Sequence, residues 1–333
     1  MKVSGMQSIL RAGHDLVARL GVLLGAALVA GLIFQATTGV FFSVGNFASI
    51  LLFMTSVAIV GYGQTLVIVA GELDLSLGAT YGLSAMATGL LWSAWVPLPI
   101  AIALGILVGC LAGFVNGLII TKLRVNSFIT TLGTMNLYQG ITLYVSNNVA
   151  ISPSPNQGNF DLYEFIGTGH VYGVPVQIFW LIIATAIMWM VLHRTVFGFR
   201  IAAIGGNVVA ARAAHLPVSR VKVATYVIAG ALAAVAGIVD FSLVSSVSPT
   251  AGSTMTFAVL AAVIIGGASL SGGRGTIIGT LVGAFLLQVL TNGLGLLGAG
   301  AYAQLLFQGG VILVAVAVDR WTSRGRSKVE VAM

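Results

Sequence analysis

Glu72 and Asp74 stand two residues apart in Ala70-Gly-Glu-Leu-Asp-Leu-Ser-Leu-Gly78, between two strongly apolar runs. Two neighbouring carboxylates can divide general acid and general base work between them. In a helix, though, side chains two positions apart point about 200° away from each other, so no catalytic dyad follows. Two other readings stay open. Asp74 or Ser76 can cap a helix starting near Leu77, where a carboxylate also meets the positive helix end. Alternatively Glu72, Asp74 and Ser76 act directly in gating or transport, since carboxylates amid apolar sequence are costly unless hydrated, paired or near a helix end.

A second chemical candidate is Ile265-Gly-Gly-Ala-Ser-Leu-Ser-Gly-Gly-Arg-Gly275. Its glycines suggest a phosphate cradle, but the Lys-Ser/Thr ending that reaches the phosphates and magnesium of a nucleotide is missing. This chain is therefore not expected to hydrolyse ATP, and the glycines are read as a tight turn or a close approach between helices. Cys110 is the single cysteine, and His215 has no ligand companions nearby. Disulfide, metal and redox chemistry are not expected, and neither is a resident cofactor.

The remaining candidates carry no charge. Asn116, Asn126, Ser127, Thr130, Thr131, Thr134, Asn136 and Gln139 gather in one region, and Gln288, Asn292, Gln304 and Gln308 in another. Such donors and acceptors can exchange hydrogen bonds with a neutral, hydroxyl-rich solute without holding it too tightly to release. They can equally be hydrogen-bonding glue between helices.

The elements that position these groups are membrane spans. Among 333 residues, 58% are hydrophobic and 7% charged, and the mean hydropathy is +1.05. No water-soluble domain has that composition, so the chain is read as an all-α integral membrane protein, a single transmembrane domain over 1–333 in contact with lipid. Ten spans are predicted, at 18–36, 46–70, 77–95, 98–120, 126–146, 175–193, 223–245, 256–270, 276–297 and 301–318. A crossing needs about 20 residues for roughly 30 Å of hydrocarbon. The segments 77–95 and 256–270 are marginal on that measure and are expected to be broken or re-entrant. The run Gly21 to Phe34 is read as a retained first helix, not a cleaved signal peptide.

Charge tests the arrangement independently. The formal net charge of +7 reads as a topology signal and not as a nucleic-acid footprint, because Lys and Arg gather in alternate connections. Lys2, Arg11 and Arg19 precede the first span, Lys122 and Arg124 follow the fourth, and Arg194, Arg200, Arg212, Arg220 and Lys222 lie in 194–222. Arg320, Arg324, Arg326 and Lys328 occupy the tail. The connections at 36–46, 95–98, 146–174, 246–255 and 298–300 have neither residue. Both termini are accordingly placed in the cytoplasm, with 1–17, 194–222 and 319–333 as cytoplasmic segments. The long outer connection Ser146 to Val174, with Asp161 and Glu164, is either an ordinary polar loop or a meeting place for an extracytoplasmic partner.

Two further patterns bear on mechanism. Gly105-Ile-Leu-Val-Gly109 with Asn116-Gly-Leu118 recurs as Gly279-Thr-Leu-Val-Gly283 with Asn292-Gly-Leu294, and Leu137-Tyr-Gln-Gly140 as Leu306-Phe-Gln-Gly309. The matching spans run in opposite directions under the charge-derived topology, the signature of an inverted repeat with a pathway at its interface. In the cytoplasmic segment, Asn207-Val-Val-Ala-Ala-Arg-Ala-Ala-His-Leu216 combines a capping Asn with helix-forming alanines, and Pro217 stops it. A short amphipathic helix that docks another protein is the sharper reading.

Four of these stretches together resemble the membrane permease of ribose-type bacterial importers driven by ATP-binding-cassette (ABC) subunits. They are Thr65 to Gly78, Ile129-Thr-Thr-Leu-Gly-Thr134, Gly205-Gly-Asn-Val-Val-Ala-Ala-Arg212 and Val263 to Gly275, and the resemblance runs from about residue 45 to 320. The family pattern Gly-Ile-Asp-Leu-Ser is replaced here by Gly71-Glu-Leu-Asp-Leu-Ser76. The resemblance implies a pore of two permeases, this chain with a second copy or a similar chain. It also implies a pair of cytoplasmic ATPase subunits that hold the ATP and magnesium, and an extracytoplasmic sugar-binding protein, all at the bacterial inner membrane. By position, 206–216 matches the family's coupling segment, with Gly206, Asn207, Arg212, His215 and Leu216 as its contact residues. Rival readings are a permease for branched-chain amino acids, whose zwitterionic cargo would favour charged contacts, and a proton-coupled transporter titrating Glu72 or Asp74. An intramembrane enzyme finds no nucleophile-base pair or metal-ligand set.

Overall fold

The computed structural model describes residues 2–300 and 302–313, with side-chain surroundings given from residue 18 onward. It is a helical bundle. In chain order the helices are α1 (Lys2–Thr38), α2 (Val44–Val69), α3 (Leu77–Ser93), α4 (Leu98–Lys122), α5 (Ser127–Val145), α6 (Phe160–Thr168), α7 (Val176–Arg194), α8 (Val196–Gly206), α9 (Val208–Ala213), α10 (Val218–Val244), α11 (Met255–Ile265) and α12 (Ile277–Leu296). A further apolar helix, α13, occupies Tyr302–Leu313. The strands β1 (His170–Val171) and β2 (Val174–Pro175) form a small antiparallel hairpin. Hydrocarbon offers no partner for a bare peptide group, so apolar runs of this length close their hydrogen bonds internally as helices. Among the described residues six helices are long and apolar enough to cross a membrane, and α11 and α13 are shorter. The expected tail 319–333 lies outside the described residues.

Helix starts are marked by polar side chains that take up the first amides. Ser43, Asn126, Thr195, Asn207 and Thr276 each accept a backbone N–H of the helix that follows. Such caps contribute about 1 kcal/mol each and set where the chain turns back toward the bundle.

α2 and α10 form the central pair, with Gly63 set against the Ala229 backbone. α10 also packs on α3 and α4, which pack on each other, while α2 packs on α11 and α12, which likewise pack on each other. The α4 seam is spelled by glycine every fourth residue, at Gly105, Gly109, Gly113 and Gly117. A methyl group on Gly113 would overlap the Tyr226 carbonyl, and one on Gly109 the carbonyl of Gly230. Apolar side chains gain little by leaving lipid for a lipid-like interior, so close backbone approach carries the contact instead. Of the two echoed glycine pairs, Gly109 meets α10 and Gly283 meets the Ala262 carbonyl of α11.

The two marginal segments are where the helices break. α11 has 11 residues, about 16 Å of helix, roughly half the hydrocarbon thickness. α3 has 17 residues. They emerge from two irregular stretches, 70–76 and 245–254, that meet inside the bundle. The Gly78 amide donates to Thr256 Oγ1 at 3.1 Å and the Thr256 hydroxyl donates to the Leu75 carbonyl at 3.1 Å. Gly252, with φ +82°, lies against the Gly78 carbonyl.

The connection Ser146 to Val174 is no loose loop. Ile151 bridges to Val247, Trp92 Nε1 donates to the Gly158 carbonyl at 2.8 Å, and Gln157 returns a bond to the Trp92 carbonyl at 2.6 Å. Trp92, Phe160, Tyr163 and Phe241 stack around α6.

Gly113→Ala should lower the stability of the detergent-solubilised protein by about 1–3 kcal/mol, the ordinary range for overpacking a tight contact. Gly133 in α5 has open space around it, so Gly133→Ala should leave the melting temperature unchanged or slightly raised. Parallel thermal melts of the two variants measure the contrast.

Candidate functional site

Residues 70–76 are not helical, so the helix-based separation of Glu72 from Asp74 gives way to a sharper one. The chain passes from the bundle's basic end into its interior, and the two carboxylates meet different surroundings. Asp74 is 1% exposed. Its Oδ1 accepts the Ser76 amide at 2.8 Å and the Ser76 hydroxyl at 2.7 Å. Ser76 Oγ accepts Asn116 Nδ2 at 2.8 Å, and the Tyr138 hydroxyl donates to the Ala112 carbonyl at 2.9 Å, close to Asn116 Oδ1. A polar chain thus runs from the break through α4 to α5. The neighbouring Leu73 carbonyl accepts the Tyr226 hydroxyl at 3.1 Å, which ties the break to α10. Ser76 stands at the N-cap, its carbonyl accepting the Thr80 amide at 2.8 Å but its side chain making no cap bond. The first-turn amide of Gly78 is satisfied by Thr256 of α11 instead, so the expected cap is partly replaced by a tertiary contact.

Glu72 faces the other way and pairs with Lys222 in the first turns of α10. The side chains are 16% and 11% exposed for Lys222 and Glu72 respectively, so the pair is largely shielded from water.

The three glycine-bearing motifs that are distant in sequence converge at this end. Gly71 (φ +78°) sits against the Gly205 backbone, a methyl there standing 3.3 Å from Gly205 Cα. Gly272 (φ +84°) meets both Gly205 and Gly71, and the Gly273 amide donates to the Val69 carbonyl at 2.9 Å. Only residues without a side chain permit three backbones to meet this closely. From the junction the chain enters α9, where Asn207 Oδ1 accepts the amides of Val209 at 3.0 Å and Ala210 at 2.9 Å. The expected helix 207–216 is shortened to six residues. His215 follows it in a left-handed turn (φ +57°), and Pro217 stands at the N-cap of α10. Gly206, Asn207, Arg212 and His215 are exposed and Leu216 half-buried. Val209, missed in the sequence, is 72% exposed beside them.

The uncharged candidates separate into several kinds. Asn116, Thr130 and Thr134 are buried, and Thr130 Oγ1 has no hydrogen-bond partner among the described residues. Asn126 is exposed and taken up in capping α5. Gln139 donates to the Pro249 carbonyl at 2.6 Å and so joins α5 to the second break. Asn136 is exposed and bonds back to the Leu132 carbonyl at 3.0 Å. Gln288, Asn292, Gln304 and Gln308 are half-buried, with Asn292 Oδ1 and Gln308 Oε1 lacking partners among the described residues. α12 packs on α1, α2, α7 and α11, whereas α5 packs on α3 and α4. The two groups of amides therefore occupy different sides of the bundle and do not form one cluster within a single chain.

Asp240 escaped the sequence reading. Ser56 of α2 donates to its Oδ1, and the Tyr81 hydroxyl of α3 to its Oδ2 at 2.6 Å, so one carboxylate joins α2, α3 and α10. A lone acid within an apolar span was the available signal. Lys222 was counted only as a topology charge, and nothing in its neighbours pointed to Glu72, 150 residues away.

Two interrupted helices meeting at a buried polar knot, with a capped helix projecting from the basic end, define a membrane-embedded transport component. The chain belongs to the family described as branched-chain amino acid transport system / permease component, whose model matches residues 46–316. It is 42% identical over 264 residues to the ribose import permease of Bacillus subtilis, covering 79% of this chain and 80% of that one. It is 38% identical over 279 residues to the ribose import permease of Escherichia coli K12 (84% and 87% covered). Over 291 residues it is 34% identical to the fructose import permease of Rhizobium meliloti (85% and 80% covered). No solved structure matches.

Glu72→Lys should destabilise the protein by about 1.5–3 kcal/mol, the worth of a hydrogen bond to a charged group, and the paired exchange with Lys222→Glu should recover at least half of that loss. A double-mutant cycle on thermal melts measures the coupling.

Proposed function

We propose that this chain is the transmembrane permease of an ABC importer and forms the route by which a monosaccharide, a ribose-like pentose or a hexose, crosses the bacterial inner membrane. The identity to ribose and fructose import permeases across about four-fifths of the chain carries this reading. The chain itself makes and breaks no bonds. ATP and magnesium belong to cytoplasmic ATPase subunits, and an extracytoplasmic binding protein delivers the sugar.

Each predicted span overlaps a helix over its described residues, 256–270 with the short α11 and 301–318 with α13. With α3 and α11 as broken segments and Lys and Arg gathered in alternate connections, this supports ten membrane segments with both termini in the cytoplasm. The packing supports an inverted repeat in which α2 to α5 correspond to α10 to α13, because α10 holds α3 and α4 as α2 holds α11 and α12. α5 turns Asn136, Gly133 and Gly140 away from the rest of the chain. That face would line the pathway opposite a second permease, where uncharged amides suit a sugar.

In this reading the segment 206–216 inserts Val209 and Arg212 of α9 and His215 after it into the ATPase, with Gly206, Asn207 and Leu216 setting its direction. Movement of α9 passes through Gly205 to Gly71 and Glu72, and from there to Asp74, Ser76 and the start of α3. The ATPase shifts the balance between outward- and inward-facing states by the difference in its contacts with each. Proton coupling through Glu72 is disfavoured because Lys222 already holds that carboxylate.

A branched-chain amino acid is the second reading, favoured by the family description. Vesicles reconstituted with the permease, its ATPases and its binding protein separate the two. Uptake of radiolabelled ribose or fructose, dependent on ATP and indifferent to a protonophore, is expected; uptake of leucine but no sugar would replace the proposal.

Arg212→Glu should reduce ATP-dependent uptake at least tenfold, with membrane insertion and melting temperature unchanged. Pull-down of the ATPase subunit and uptake assays check this, and normal values for both would remove the coupling assignment.

A further inference from the structure

α4 and α10 approach so closely at Gly117 that a methyl group there would stand 2.8 Å from Val223 Cα. Beside this contact runs an open groove of about 530 Å³. Its wall includes Leu118, Val223 and Val227, and its mouth is formed by Lys122, Ser219 and Arg220. The two ends differ in chemistry. Lys122 closes the last turn of α4 and Arg220 lies in the first turn of α10, both exposed, while the wall is aliphatic. From Ser219 to Ile228 the groove follows α10 for about 14 Å, close to the depth of one leaflet's hydrocarbon.

Neither charge at the mouth has a carboxylate partner among the described residues, where the one salt bridge is Lys222 to Glu72. The Thr121 hydroxyl is already given to the Gly117 carbonyl at 2.7 Å. A ligand that fits must place an anionic group between two cations at the membrane surface and lay hydrocarbon along the adjoining wall. A soluble anion would leave the wall bare, and a zwitterionic lipid would bring a cation to the basic mouth.

We propose that this groove is a binding site for an anionic phospholipid, with the phosphate held by Lys122 and Arg220 and one acyl chain along Leu118, Val223 and Val227. The site stands on its own observations and does not depend on which solute the permease carries. Its position ties it to the coupling segment: α10 follows α9 after the turn Ala214–Pro217, and its first turns hold both Arg220 at the groove and Lys222 at Glu72. A bound headgroup would therefore steady the helix that joins the coupling segment to the break.

The test is native mass spectrometry of the permease with its ATPase subunits, released from nanodiscs of equimolar phosphatidylglycerol and phosphatidylcholine with the same acyl chains. Preferential retention of phosphatidylglycerol is expected. Lys122→Gln and Arg220→Gln should each lower the preference about fivefold and together about 25-fold, as for basic residues at an anionic surface. Lys122→Arg combined with Arg220→Lys should keep it. Val227→Trp, which fills the wall and leaves both charges, should reduce retention of either lipid. Arg194→Gln, a basic residue outside the groove that lies over Trp189, should change nothing. An unaltered preference in the double glutamine variant, or unaltered retention in Val227→Trp, would overturn the proposal. So would displacement of the lipid by millimolar inorganic phosphate, which would assign the mouth to a soluble anion.

Discussion

A peptide group inside hydrocarbon must find its hydrogen bond within the protein, and this chain interrupts its helices at two stretches that meet inside the bundle. The two interruptions answer each other. Thr256, at the start of α11, accepts the Gly78 amide of α3 and donates to the Leu75 carbonyl, while Gln139 reaches the Pro249 carbonyl in the second break. Glycine at 78, 82 and 252 lets the irregular backbone lie against its neighbours. The central pairing of α2 with α10 and the shortness of α11 follow, because the breaks can meet only if long helices hold them face to face.

Against that constraint the charges sort themselves. Asp74 is tolerated in the interior because the serine two residues on supplies two donors and because α3 presents its positive end there. Asp240 is tolerated because Ser56 and Tyr81 each give it a hydroxyl. Asp240 joins three helices, so it is a point where rigid elements are held in one arrangement, whereas Asp74 reaches α4 only through Ser76 and Asn116. Glu72, at the bundle's end, pairs with Lys222 of α10, which thereby becomes part of the break.

The junction of Gly71, Gly205 and Gly272 gives the proposed coupling a physical form. Close backbone packing has little compliance, since no side chain can rearrange to absorb a displacement. In the proposed coupling a shift of the short helix α9 would then be passed on and not dissipated. In that proposal the polar chain from Asp74 through Ser76 and Asn116 toward Tyr138 would carry the same displacement into α4 and α5, the helices nearest the proposed pathway.

Much of this architecture was legible in the amino-acid order. Long apolar runs can only be helices in lipid, basic residues mark one end of them, Asn207 before alanines announces a capped helix, and segments of fewer than 20 apolar residues betray the breaks. Those features depend on neighbours a few positions apart. What only the tertiary structure decided depends on pairs far apart in the chain: Glu72 with Lys222, Asp240 with Ser56 and Tyr81, the Thr256 cap of α3, and the separation of the amides of α5 from those of α12. Such pairs are set by the hand and tilt with which helices pack, which no local spacing encodes, and a polar residue in an apolar run looks the same whichever partner it will meet.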